Sequence, residues 1–226
     1  MVTESEVLFQ ALCRLNRFVA LRLPESRTQF QRRADFLVWR FPLRFLAAEV
    51  KQFEPNAEEM AIIAARRDGK IVVHGGEPGQ RVRAAIAVGA GQLRGTTGGR
   101  WPGLLVVCDK TGLDYHDDPY HILTAMFGLE AVMINADSMS AGRLRSSGVR
   151  FAGKRKATPT DNRALSAIGR LYESHDGKPC MDVFHNPHTS APLAPQRWRG
   201  PTVKHFVLAT PDAEGRQVWI AAQAAV

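Results

Sequence analysis

Apolar positions along the chain fall into two rhythms. From Glu4 to Ala20, Val7, Leu8, Ala11, Leu12, Leu15 and Val19 recur at the spacing that gathers one face of a helix. Thr3 and Glu6 stand ahead of them at capping-box spacing, so the pattern predicts a helix from about Glu4 to about Ala20. "PESRTQFQRR" reads as a polar loop. Asp35 to Arg40 and Arg44 to Phe53 are then apolar on both faces, with Pro42 between them. That predicts two buried strands joined by a tight reversal. "NAEEMAIIAARRDGK" predicts a helix stopping at Gly69, and "IVVHGGEPG" a short strand entering a Gly-rich turn. "QRVRAAIAVGAGQLRG" predicts a second helix. Its Gly89 and Gly91 weaken helix propensity but would let it lie close on a sheet. "TTGGRWPG" reads as a loop, and "LLVVCD" is the continuous apolar run expected of a fully buried strand.

The second half has a different texture. "PYHILTAMFG" predicts a short helix and "EAVMINA" a strand. "ALSAIGRLY", "CMDVFHN", "VKHFVLA" and "QVWIAA" predict further strands, separated by Pro, Gly and polar turns. The expected fold is α/β: a mixed central β-sheet flanked by helices. Its core occupies residues 1–110, and a strand-rich extension, 111–226, packs with that core as one unit.

Charges set into the two apolar runs change the picture. A reversal near Pro42 places Asp35 opposite Glu49 or one residue from it; directly opposed side chains lie about 5 Å apart, and like charges so placed repel. Alternation puts Glu49 and Lys51 on one face with Ala47 and Phe53. Two carboxylates and an ammonium thus converge at one end of the hairpin. Such a cluster is costly in a buried sheet unless something uses it. A divalent cation would remove the repulsion, because Mg²⁺ takes one or two carboxylates plus waters and substrate phosphate. The competing reading is a surface hairpin whose Lys–Glu pair faces water.

Glu-x-Lys alone carries no information, but its setting does. Asp35 in "RADFLV" and Glu49-Val50-Lys51 in "AAEVKQF", preceded by an acidic helix and followed by a helix and a buried strand, resemble the PD-(D/E)XK phosphodiesterase superfamily, with its restriction-endonuclease-like fold. The resemblance covers about residues 4 to 109. It implies that Asp35 and Glu49 hold Mg²⁺ or Mn²⁺, with the Val50 carbonyl as a further ligand. Lys51 would assist the attacking water, and Glu6 would be the acidic residue of the first helix. The implied reaction is phosphodiester hydrolysis, on DNA in preference to RNA. Ala34 stands where many members have Pro. The strand expected before Asp35 is to be sought in "FVALRL". Gln92 is reminiscent of a Gln in some branches. The extension is not explained by the resemblance.

Composition adds a partner class. Thirty Lys and Arg against 22 Asp and Glu give a net charge of +8, and a basic domain is drawn to polyanions. An Arg-rich genome would produce the same excess. Arg81 and Arg83 on the later helix, and Lys154, Arg155 and Lys156 in "GKRK" beside Arg143, Arg145, Arg150 and Arg163, are the candidate phosphate contacts. Three scattered cysteines, no apolar run of membrane length and no secretory pattern at the N-terminus fit a reducing, cytoplasmic setting with no membrane partner. No Gly-rich phosphate loop favours a nucleotide-binding α/β enzyme.

Two other clusters carry alternatives. "DYHDDPYH" holds a His116-Asp117 pair like that of HD-type phosphohydrolases, but Pro119 breaks the helix it would need, so a polar loop is expected. Cys180, His185 and His188 lack a fourth zinc ligand at standard spacing. Trp101, Trp198 and Trp219 read as packing residues. The rival function is a nucleic-acid-binding or assembly protein that keeps the nuclease fold without catalysis.

Overall fold

A computed structural model describes residues 2–24, 33–40, 44–72, 76–113, 116–134 and 146–222. The chain is a mixed α/β fold. Helix α1 (Glu4–Leu15) begins in the expected capping box: Glu6 N donates to Thr3 Oγ1 at 3.2 Å, and Thr3 N to Glu6 Oε2 at 2.8 Å. It ends earlier than Ala20. Asn16 closes it by donating from Nδ2 to Leu12 O at 2.8 Å, and Arg17 turns the chain at φ 59°. The released segment becomes strand β1 (Val19–Arg22), the strand sought in "FVALRL".

Strands β2 (Phe36–Arg40) and β3 (Arg44–Phe53) form the hairpin. Phe36 faces Ala48, Leu37 faces Ala47 and Trp39 faces Phe45. One further step in that register sets Asp35 opposite Glu49, one of the two placements the sequence allows. The Pro42 turn lies outside the described residues. Helices α2 (Ala57–Arg67) and α3 (Gln80–Thr97) follow, then β4 (Gly103–Asp109) and α4 (Pro119–Phe127). Ile71 and Val72 are not in a strand, so the strand expected in "IVVHGGEPG" does not form over them; Val73, His74 and Gly75 lie outside the described residues. Strands β5 (Leu129–Ile134) and β6 (Ser146–Ala152) make a separate two-stranded sheet. The sequence reading missed β6, since "SSGVRFA" is broken by Ser, Gly and Arg. The remaining strands are β7 (Ala167–Glu173), β8 (Pro179–His185), β9 (Val203–Leu208) and β10 (Trp219–Ala221).

Among the described residues the large sheet runs β1-β2-β3-β4-β7-β8-β9-β10. β1, β2 and β3 are antiparallel, and β3 pairs parallel with β4. β7 joins the far side of β4, also parallel, so the second half extends the same sheet. Each face is covered. Leu46, Ala48 and Val50 of β3 pack with Phe9, Leu12 and Cys13 of α1. Ala47 and Phe53 pack on the opposite face with Ile86, Ala90 and Leu93 of α3. This alternation, set by the two-residue period of a strand, decides which side chains of β3 meet which helix. Gly89 lets α3 sit close: a Cβ there would come within 2.8 Å of Leu105 Cδ1 and 3.5 Å of Glu49 Cγ. No helix among the described residues is long and apolar enough to cross a membrane.

Candidate active site

Asp35 sits where the chain enters β2, and it is held from three sides. Its carbonyl accepts from Leu23 N at 2.8 Å. The preceding residue, Ala34, donates its N–H to Thr96 Oγ1 of α3 at 2.7 Å. Its side chain crosses to β3, where Oδ2 accepts from Val50 N at 2.8 Å. That bond is possible because β2 pairing ends at Phe36–Ala48, leaving the next inward N–H of β3 without a strand partner. The N–H and C=O of a strand residue point to the same side, so the Val50 carbonyl faces the same gap as Asp35.

Glu49 lies on the α3 face of β3 and is fully buried. Lys51 Nζ, two residues on and on the same face, lies 2.6 Å from Glu49 Oε1, while its side chain still reaches solvent. Nothing among the described residues donates a hydrogen bond to Glu49 Oε2. A buried carboxylate this poorly satisfied resists ionisation. Burial pushes the Glu49 carboxyl up to about 7; Lys51 opposes the rise and the charge of Asp35 adds to it. Asp35 is also raised, first by burial and secondarily by the charge of Glu6, against the pull of Val50 N–H and Lys51. The four predicted groups are therefore in one electrostatic neighbourhood.

They are not equally available. Glu6 is buried and engaged: Oε2 closes the capping box and Oε1 lies 3.2 Å from Arg22 Nη2. α1 is fixed to β3 by Ser5, whose N and Oγ donate to Gln52 Oε1 at 2.9 and 2.7 Å. Neither Arg22 nor Gln52 was singled out from sequence, although the alternation of β3 points Gln52 toward α1. Gln92 donates from Nε2 to Arg33 O at 3.3 Å, and so steadies the approach to Asp35.

The cations chosen from sequence are largely occupied. Arg81 donates to Glu54 O at 2.8 Å and pairs with Glu59 Oε2 at 2.7 Å. Arg83 is buried against Glu77 at 2.8 Å, and Lys154 reaches the same Glu77 at 2.5 Å. Arg155 is exposed, and Lys156 donates its backbone N–H to Met126 O at 3.1 Å. Arg143 and Arg145 lie outside the described residues.

The other clusters have structural work. Asp117 is buried, accepts from Arg170 Nε at 3.1 Å and from Asp109 N at 3.2 Å, and burial pushes it up to about 6. His116 Nε2 lies 2.8 Å from Glu59 Oε1, and Asp118 caps α4 through His121 N at 2.7 Å. His185 meets His205, not Cys180, with ring nitrogens 2.9 Å apart. Trp198 is buried against Phe18, and Trp219 packs on Phe127 and Phe184.

Among the described residues, no three His, Cys, Asp or Glu side chains meet in a group that could hold a metal ion. Asp35 and Glu49 form a smaller set, two carboxylates beside a strand carbonyl. The poorly satisfied, buried Glu49 carboxylate and the hard oxygen donors fit Mg²⁺ or Mn²⁺, which keep several waters and need one or two carboxylates from protein. Compared with known proteins, the chain matches no family model, no curated protein and no solved structure.

Proposed function

We propose that the protein is a metal-dependent nuclease, a hydrolase of phosphodiester bonds acting on DNA in preference to RNA. The observation that carries this reading is Glu49: a fully buried carboxylate with an undonated oxygen, beside Asp35 and 2.6 Å from the Lys51 ammonium. An ordinary surface ion pair would leave that carboxylate in water. Further support comes from the order of elements. The PD-(D/E)XK resemblance implies a core of helix, sheet strands, helix and strand, and α1, β1 to β3, α3 and β4 follow that order.

Asp35 and Glu49, with the Val50 carbonyl, would hold Mg²⁺ or Mn²⁺. When bound, the cation supplies charge stabilisation at the scissile phosphate and a more acidic water. The chain's own groups do the rest. Val50 N–H fixes the orientation of Asp35, so the carboxylate is preorganised for its task. α3, brought close at Gly89, excludes water from Glu49. Lys51 shares its face with Glu49 and reaches the surface, so its ammonium sits where a phosphate arrives and can offset the negative charge that develops there. Glu6 holds the helix start and Arg22, and adds negative charge near Asp35. A cytoplasmic setting accords with the free cysteines Cys13, Cys108 and Cys180.

Incubating the purified protein with plasmid, single-stranded DNA and RNA, each with Mg²⁺, Mn²⁺ or EDTA, tests the reading. Cleavage is expected with either cation, is stronger on DNA, and stops in EDTA. Binding without cleavage under every cation would favour the non-catalytic alternative, and cleavage that survives EDTA would sink the mechanism.

A further inference from the structure

Trp39, Phe45 and Trp101 form a row of rings across the end of the sheet where β3 begins. Trp39 and Phe45 are cross-strand partners with ring centroids 6.3 Å apart. Trp101 precedes β4 and lies nearly parallel to Phe45, with centroids 5.8 Å apart and planes 29° from each other. These rings are not core. Trp39 and Phe45 are half-buried, and Trp101 is 43% exposed. Three adjoining rings left partly open form a contiguous patch rather than a lone exposed side chain, and contiguous aromatic patches mark contact surfaces.

The row is on the right face. Phe45, Ala47, Glu49 and Lys51 alternate onto the α3 side of β3, so the aromatic row and the carboxylate site share one surface. Glu49 is four steps along the strand from Phe45, about 13 Å at the usual rise. The charge around the row is also one-sided. Arg94, Arg100 and Arg163 are exposed, and among the described residues none of them makes an ion pair. The loops of Arg100 and Arg163 are tied to one another through Ser190, whose Oγ lies within hydrogen-bond reach of both Gly99 O, at 3.1 Å, and Arg163 O, at 3.2 Å. Arg199 belongs to the opposite face: its carbonyl accepts at 2.8 Å from Arg40, whose guanidinium lies over Phe18 on the α1 side. Residues 94–103, 161–166 and 186–202 include a single acidic side chain, Asp161, which is bonded to Thr158. Arg81, Arg83 and Lys154, by contrast, already have carboxylate partners.

We infer that Trp101 and Phe45 are a stacking platform for unpaired bases of a nucleic-acid strand, whose phosphates run past these free arginines toward Asp35 and Glu49. This rests on the nuclease reading for its direction and deepens it: the substrate class is single-stranded nucleic acid, or the frayed or flapped end of a duplex. Every base has a π-face, so stacking on an exposed ring grips a strand without reading its sequence. A closed duplex hides those faces and cannot use the platform.

The test separates binding from cutting. Full-length protein carrying Lys51→Ala, in EDTA, is titrated with labelled oligothymidylate, oligouridylate and a blunt duplex of equal length. Adding Trp101→Ala is expected to weaken strand binding roughly ten-fold or more, with little change for the duplex. In a Trp39→Phe background, which removes the other tryptophan of the row, Trp101→Phe keeps most of the affinity but loses the quenching of tryptophan fluorescence that the strand causes. Trp101 dependence with either homopolymer supports the platform. Strand binding that ignores Trp101→Ala, in a protein whose unfolding midpoint is unchanged, overturns it, as does quenching that persists in Trp101→Phe on that background. Should Trp101→Ala fail to fold, the Trp101→Phe quenching measurement decides. A protein that binds through Trp101 yet never cleaves keeps the platform and loses the nuclease reading. One that cleaves duplex with cation and is indifferent to Trp101 does the reverse.

Discussion

Replacing Lys51 with Ala is expected to cut cation-dependent phosphodiester cleavage by two orders of magnitude or more, while the fold stays intact. Lys51 is on a strand whose register is pinned on both sides, by β2 and by β4. Its side chain is partly exposed, so its removal leaves no cavity in the core. Under the proposed mechanism it removes a positive charge from the place where negative charge develops, and groups of that kind are worth about 10²–10³ in rate when deleted. The loss should fall on kcat with KM nearly unchanged, because the interaction strengthens in the transition state. Lys51→Arg should recover part of the activity, since the charge is kept but its geometry changes. Parallel urea unfolding of the variant serves as the control. A Lys51→Ala protein that cleaves at the parent rate would remove Lys51 from the mechanism.

The second large effect is on stability, and its sign follows from the burial of Glu49. Glu49 has its carboxyl raised from 4.5 to about 7 by burial. The unfolded chain ionises this group near pH 4.5, whereas the folded chain holds its proton until about pH 7. Whatever Glu49 contributes is therefore fully present below pH 4.5, is lost as pH rises through about 7, and changes no further above that. The lost part is about 3 kcal/mol, from the width of the shift at about 1.4 kcal/mol per pH unit. Glu49→Gln has no proton to lose. A buried amide with the same poor set of donors costs about 1–3 kcal/mol in its own right, at all pH values. In EDTA the variant should therefore gain about 2–3 kcal/mol relative to the parent between pH 4.5 and pH 8, even if it starts below it. Urea midpoints across that range measure the gain. Equal slopes for parent and variant would mean that Glu49 ionises as it does in water, and the case for a buried site would fail. Sites that sacrifice stability for chemistry behave in this way.

Much of this was legible because the hairpin is local. Two apolar runs with a short reversal between them admit few registers, but runs apolar on both faces do not choose between neighbouring registers; the pairing of Phe36 with Ala48 does. The reversal alone brings Asp35, Glu49 and Lys51 to one end of the hairpin. The end of α1 was not legible for the opposite reason: Val19 continues the helical spacing of Leu12 and Leu15, and only Arg17 at positive φ and the Asn16 cap break it. Nor could the pairings of Arg81 with Glu59 and of Arg83 with Glu77 be read, because the partners come from α2 and from the loop before α3. Counting arginines cannot separate the occupied from the free. The exposed ones without a carboxylate partner among the described residues, Arg94, Arg100 and Arg163, are scattered in sequence, and the loops of Arg100 and Arg163 are joined only through Ser190. Trp101 looked like its counterparts Trp198 and Trp219 until exposure set it apart.

The most direct measurement on the site is a Mn²⁺ titration of the parent protein, Asp35→Asn and Glu49→Gln, followed by calorimetry and by the magnetic resonance signal of free Mn²⁺. If Asp35 and Glu49 share one cation, the parent binds Mn²⁺ with proton release below about pH 7, because Glu49 must ionise to become a ligand. Binding tightens as pH rises through that value, and each substitution abolishes or greatly weakens it. Mn²⁺ binding of equal strength in all three proteins, or none in the parent at any pH, would contradict the account.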